Sequence, residues 1–293
     1  MTEQTRSQIW LVTGAGRGLG RDIVEAALKA GHTVIAGARK PEVLNDLLAK
    51  YGDRIVPVAL EVTDPDAATA AVQTAVTTFG RLDVLVNNAG YANLASIEDI
   101  TIEDFREQID TNLLGVVNVT KAALPIMRKQ KSGHIIQVSS VGGRSASPGL
   151  GAYQAAKWAV GGFSGVLAAE VEPLGIRVTT LEPGGMRTDW GGSSMSIPPI
   201  SEPYQPTVGA RARMMESWVP SGDPEKVAKV VLEIAAMDEP PLRLLLGSDA
   251  YKYGTANGRA LAESDEKWRD LSESTDHDDS TGSDRDPLRG TSS

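Results

Sequence analysis

Ile9-Trp10-Leu11-Val12-Thr13-Gly14-Ala15-Gly16-Arg17-Gly18-Leu19-Gly20 joins a short apolar run to a glycine-rich turn, and Arg21 to Ala30 continues as a helix closed by Gly31. An apolar, partly β-branched run without polar alternation fits a parallel strand buried on both faces. A glycine just past the last helical residue is a common helix stop. Strand, glycine turn and helix together offer backbone N–H groups and a positive helix end to an anion, the geometry that holds a dinucleotide pyrophosphate. Here the spacing is Gly14, Gly18, Gly20, with Gly16 as an extra glycine, and Leu19 stands where the common G-x-G-x-x-G pattern has its last glycine. A tight turn without a ligand is the plain alternative; the flanking strand and helix favour a nucleotide.

Working outward, strands and helices alternate. A second strand at 32–37 leads to a helix at 41–51, a third strand at 54–60, and a helix whose start is marked by Asp64-Pro65. A fourth strand at 82–86 precedes a long helix at about 102–129, with Thr101 as N-cap. The strand from Gly133 leads to a helix ending near Leu174-Gly175, and 177–181 forms a sixth strand. Asp223-Pro224 starts another helix before a seventh strand at 242–246. Alternation of this kind predicts an α/β chain: a doubly wound parallel sheet of about seven strands with helices on both faces.

The end of the second strand bears on which dinucleotide is held. An NAD site wants an acid there for the ribose 2′-hydroxyl. No Asp or Glu occurs between His32 and Pro41, whereas Arg39 and Lys40 follow the strand and Arg17 lies in the glycine turn. A carboxylate would repel a 2′-phosphate and a guanidinium fork can pair with it. NADP(H) is therefore the expected cofactor, with Arg39 as the main contact, Arg17 approaching from the turn and Lys40 either a helper or a solvated charge.

Tyr153 and Lys157 lie four residues apart in Ala152-Tyr153-Gln154-Ala155-Ala156-Lys157, a helical run that places both side chains on one face. A phenol keeps its proton to a pKa of about 10, and a nearby ammonium is expected to lower it toward use as a general acid–base.

With these residues in view, the chain resembles the short-chain dehydrogenase/reductase family from about Gln8 to Gly247. Asn87-Asn88-Ala89-Gly90 follows the fourth strand like the family's NNAG turn, and Ser140 precedes Tyr153 by 13 residues, the family's spacing for its active serine. Asn112 stands at the place of the active asparagine, and Pro183-Gly184-Gly185-Met186-Arg187-Thr188 looks like the PGxxxT segment. Leu60-Glu61-Val62-Thr63-Asp64 and Leu181-Glu182-Pro183-Gly184 are most similar to the hydroxysteroid-dehydrogenase-like branch. The resemblance implies a Rossmann-type fold and the catalytic set Asn112, Ser140, Tyr153 and Lys157. It also implies cofactor contacts from Gly14, Arg17, Gly18, Leu19, Gly20, Arg39, Glu61, Val62, Asn88, Ala89, Gly90, Tyr153, Lys157, Pro183, Gly184, Met186 and Thr188. Glu61 departs from the usual Asp facing the adenine. By the same resemblance, Lys157 holds the nicotinamide ribose, and Asn112 holds a water linking Lys157 to solvent.

Residues 186–222 are rich in Pro, Ser and Gly and carry Trp190, Met195, Tyr204, Met214, Met215 and Trp218. Such a segment is expected to be an irregular lid over an apolar substrate, or else to cover core or a subunit contact. Tyr91, Leu94, Val141, Gly142 and Trp190 are the candidate substrate contacts. His32, His134 and His277 are scattered, and no cysteine is present, so no metal site is expected.

The chain of 293 residues, 41% hydrophobic, is long enough to bury a large core. Residues 1–262 are expected to form one domain, with its dinucleotide-binding half at about 8–130. The net charge of −9 argues against nucleic acid or an acidic membrane as partner. Much of it lies in 263–293, where ten acids face four bases, and this extension is expected to be disordered from about 272. The polar 1–8 stretch and the lack of a run approaching roughly 20 apolar residues fit a cytoplasmic protein. Two functions remain in view: an NADP(H)-dependent oxidoreductase on a small carbonyl or alcohol, or a non-catalytic NADP(H)-sensing protein. The family resemblance implies a homodimer or homotetramer.

Overall fold

A computed structural model of the chain describes residues 7–188, 195–282 and 284. Seven strands form one parallel sheet: β1 (Ile9–Thr13), β2 (Thr33–Ala38), β3 (Ile55–Ala59), β4 (Val84–Asn87), β5 (Gly133–Val138), β6 (Ile176–Pro183) and β7 (Arg243–Leu246). Their order is β3-β2-β1-β4-β5-β6-β7. The chain winds outward from β1 in one direction and then from β4 in the other, so a crevice opens at the carboxyl ends of β1 and β4. Leu11 faces Ile35 on β2 and Leu85 on β4, which fixes the register at this switch point.

Helices cover both faces: α1 (Gly18–Lys29), α2 (Asn45–Tyr51), α3 (Pro65–Phe79), α4 (Ile102–Ile109), α5 (Gly115–Gln130) and α6 (Gly151–Val171), with α7 (Ala210–Ser217) and α8 (Pro224–Ala236) between β6 and β7; α9 (Ser248–Lys267) and α10 (Arg269–Glu273) follow β7 in the chain. The strand period of two explains the unbroken apolar runs. Trp10, Val12, Val34, Ala36, Val84 and Val86 point to one face, where they meet Ile23 and Val24 of α1 and Val231 of α8. Ile9, Leu11, Ile35, Leu85 and Ile135 point to the other, against Val72 of α3, Val119 of α5 and Leu167 of α6. Both sides of the central strands β1 and β4 are dry, which is why their runs are mostly apolar.

The helix starts expected from sequence are capped. Asp64 accepts from the N–H groups of Asp66 and Ala67 at 2.8 and 3.3 Å, Thr101 Oγ1 accepts from Asp104 N–H, and Asp223 caps α8 ahead of Pro224. The long helix expected at 102–129 is interrupted by a π-helical turn, Asp110–Leu114, that joins α4 to α5. The segment expected to be an irregular lid contains, in its described part, a π turn at Gln205–Gly209 that runs into α7.

The chain divides into two compact units, residues 1–254 and 255–293. The second holds the later part of α9 and α10, so regular helix reaches Glu273 in the acidic extension. No helix of the described residues is long and apolar enough to cross a membrane.

Candidate active site

At the mouth of the crevice the backbone is packed too closely for side chains. A Cβ on Gly20 would lie 2.3 Å from the Gly14 carbonyl oxygen, and one on Gly14 would lie 2.9 Å from Ala89 Cα. Gly14 and Gly18 also hold φ of 65° and 52°, in the left-handed region. Thr13 Oγ1 accepts from the N–H groups of Asn88 and Ala89, each at 3.0 Å, and Asn88 Nδ2 donates back to the Thr13 carbonyl at 3.0 Å. The Asn88 side chain thus ties β4 to the glycine turn. Helix α1 begins here without a side-chain cap and with no acid in its first turn. Uncapped amides and a positive helix end facing a crevice fit a dinucleotide pyrophosphate.

Arg17, Arg39 and Lys40 are exposed beside this turn, and none of them meets a carboxylate among the described residues. Glu61 is exposed beyond β3, with its Oε1 accepting from Thr63 N–H at 3.3 Å. Val62 is buried, and its carbonyl accepts from Asn118 Nδ2 at 3.1 Å.

The first turns of α6 carry Tyr153 and Lys157, both buried. Lys157 Nζ donates to the Val138 carbonyl at the end of β5 at 2.8 Å and lies 5.6 Å from the centre of the Tyr153 ring. Ser140 Oγ accepts from Gly142 N–H at 3.0 Å, which caps the following turn and orients the hydroxyl. The Ser140 hydroxyl also hydrogen-bonds Tyr153. Burial pushes the Tyr153 phenol up to about 12 against the pull of that bond, and burial pushes Lys157 down to about 8. The expectation that Lys157 lowers the phenol pKa is therefore not met. Desolvation opposes the charged form of both groups.

Asn112 sits within the π turn, fully buried. Its Nδ2 donates to the carbonyls of Tyr91 and Gln108, each at 2.8 Å, and its Oδ1 accepts from Tyr91 N–H at 3.1 Å. The point where Gly90 would carry a Cβ lies 2.5 Å from Asn112 Oδ1 and 3.5 Å from Lys157 Nζ, so the bare glycine brings the two together. At the end of β6, Gly184 N–H donates to the Leu246 carbonyl and Gly185 N–H to Asp249 Oδ2, at 3.0 and 2.8 Å. This folds the Pro183–Thr188 segment back until Thr188 Cβ is 3.6 Å from the Cβ position of Gly18. Met186 is partly buried and pairs with Gly222.

Beside the phenol, Tyr153 packs with Ala92, Leu94, Leu150, Val208 and Ala212, and Met195, Ile200, Tyr204 and Met215 lie against this cluster. Leu94 lies in this apolar cluster, and Met195, Tyr204 and Met215 of the 186–222 segment lie against it. Gly142 is buried and Val141 half-buried beside Ser140. Tyr91 is half-buried, and burial together with Glu107 and Asp104 raises its phenol pKa. Trp218 lies against Gly185, Met214 is exposed, and Trp190 lies outside the described residues. No group of residues able to hold a metal ion occurs among the described residues. Two histidines are structural: His32 stacks on Trp10, and His134 Nε2 shares a 3.0 Å hydrogen bond with Thr179.

Sequence reasoning missed a buried clamp. Glu182 on β6 is 1% exposed and meets Arg144 at 2.5 Å and Arg243 at 3.6 Å. Arg144 follows the Ser140 turn, so the ion pair joins that turn to the strand leading into Pro183. Asp249, which holds Gly185, was also missed. An acid between two apolar strand residues, as in Leu181-Glu182-Pro183, was the available signal for the first; the second had none.

The sequence profile described as short chain dehydrogenase matches residues 8–196. The chain is 57% identical to Oxidoreductase BOA17 of Botryotinia fuckeliana over 269 residues, 91% of this chain and 98% of that protein. A short-chain dehydrogenase from Streptomyces avermitilis superposes with a TM-score of 0.87 at 38% identity, covering 92% of this chain and all of that one. Another, from Burkholderia cenocepacia and solved in complex with NADP, gives a TM-score of 0.72 at 25% identity over 89% of this chain and 97% of that one.

Proposed function

The chain belongs to the short-chain dehydrogenase family, and from that premise we propose that it interconverts a ketone or aldehyde and the corresponding alcohol with NADP(H), Tyr153 acting as general acid–base. The observation that carries this reading is the meeting of a buried phenol, a serine hydroxyl and a buried amine at one end of the sheet, beside an uncapped helix N-terminus. The glycine turn, with Arg17 and Arg39, would hold the dinucleotide, and the bare Arg39 favours a 2′-phosphate. When bound, the nicotinamide supplies or accepts the hydride.

The protein's own groups handle the proton. A phenol held to about 12 is fully protonated at neutral pH, which suits donation to a carbonyl oxygen as charge develops there. Ser140, fixed by Gly142 N–H, directs its hydroxyl to the same oxygen and stabilises that charge. Lys157, anchored on the Val138 carbonyl, would hold the nicotinamide ribose. Asn112 Oδ1 keeps a second lone pair beside the Gly90–Lys157 contact, where a water could return the proton.

The test is a steady-state assay of NADPH oxidation against a panel of ketones and aldehydes. Turnover of at least one apolar carbonyl compound is expected. Tight NADPH binding with no turnover on a broad panel would overturn the reading.

A further inference from the structure

The lid carries one cation that nothing so far uses. The π turn Gln205–Gly209 and α7 lay Val208 and Ala212 against Tyr153, Leu94 and Leu150, with Met215 packed on the same cluster. Arg211 lies in the first turn of α7, next to Ala212 and one turn before Met215, which places it at the edge of the face that packs on this cluster. Its Nε is shut off from solvent and has no hydrogen-bond partner, and no carboxylate pairs with it among the described residues. Burial alone lowers its pKa. Arg213, two residues on, is exposed and donates to Gln205 Oε1 and to the Gln205 carbonyl, both at 3.2 Å. Two acids beside the lid are engaged elsewhere. Glu98 accepts from the Tyr204 hydroxyl at 2.8 Å, and Asp99 accepts from Ser201 N–H at 3.1 Å.

A guanidinium N–H buried without an acceptor is costly to keep, and a ligand that supplies the acceptor removes that cost. One planar guanidinium matches one planar carboxylate through two parallel hydrogen bonds. The cluster on which this face packs is apolar, with Ala92, Leu94, Leu150 and Val208 buried in it. We propose that Arg211 is a specificity-determining residue that pairs with a carboxylate on an otherwise apolar oxo substrate, so that the chain acts on oxo-acids in preference to plain ketones. This rests on the carbonyl-reducing reading above and adds the substrate class to it.

The experiment uses the full chain with NADPH and two matched series: methyl-ketone acids from 4-oxopentanoate to 8-oxononanoate, and 2-alkanones of equal chain length. The wild type is expected to favour at least one oxo-acid over its matched ketone in kcat/KM. In Arg211→Met that preference should fall about tenfold or more, the loss of a charge-assisted hydrogen bond, while Arg211→Lys retains part of it. A preference unchanged within about twofold in Arg211→Met, or a wild type that favours the neutral ketone at every length, would overturn the proposal. Should neither series turn over, the catalytic reading fails and calorimetric titration of the same oxo-acids into the NADPH-loaded protein decides this one. Binding weakened by Arg211→Met supports it, and binding that is absent or unchanged overturns it. If Arg211→Met does not fold, Arg211→Gln takes its place.

Discussion

Tyr153 and Lys157 each lose water on folding, and the direction of that effect sets the pH behaviour of the site. Lys157 is held down to about 8 and Tyr153 up to about 12, so between pH 6 and about 8 the pair is an ammonium beside a neutral phenol. As pH rises through about 8 the ammonium loses its proton while the phenol keeps its own. For carbonyl reduction, kcat/KM is expected to stay level below about pH 8 and to fall above it. Lys157→Met should lower the rate and remove that inflection; a wild-type profile level to pH 10 would contradict the assignment. Arg39 gives a second prediction at this scale. With no acid at the end of β2, Arg39→Asp should weaken NADPH binding about tenfold or more relative to NADH, read by calorimetry. The i, i+4 placement of tyrosine and lysine was legible in the sequence because helix geometry alone dictates it. The pKa directions were not, since they depend on how completely both groups are buried.

The elements set these residues in place through short backbone devices. The π turn at Asp110–Leu114 aims the Asn112 amide at the Tyr91 and Gln108 carbonyls, and the absence of a Cβ on Gly90 leaves room for it. Gly90→Val would drive a side chain into Asn112 and Lys157, and a loss of activity larger than the loss of stability is expected, from parallel assays of turnover and urea unfolding. The Glu182 clamp works on stability as well. Glu182→Leu leaves the Arg144 and Arg243 guanidinium groups, each partly open to water, without their acid, and a loss of about 1 kcal/mol is expected from the shift in urea midpoint. The strands and capped helices were readable because an apolar run or an Asp-Pro start has few alternatives. The π turn and α7 were not. A π turn has no residue signature of its own, and α7 follows a proline-rich stretch that argues against helix while tertiary contact with Tyr153 and Leu94 favours it.

For the whole molecule, the doubly wound sheet places the glycine turn, the Asn112 turn, the Ser140 turn and the start of α6 around one crevice, although they are far apart in the chain. The outer face of α6 leaves Trp158 and Val166 50% and 61% exposed, with nothing within 4 Å of the Cβ positions of Gly162 and Gly165 between them. A flat apolar face of this kind fits association with a second copy. Light scattering at micromolar concentration is expected to give at least twice the mass of one chain, and Val166→Arg to return it toward the monomer. A monomeric wild type would contradict this. The most direct test of the account is NADPH-dependent reduction by Tyr153→Phe, a change that removes only the phenol oxygen. The account predicts a rate lower by about a hundredfold or more, with NADPH affinity kept within about twofold. A turnover number equal to that of the wild type would contradict it.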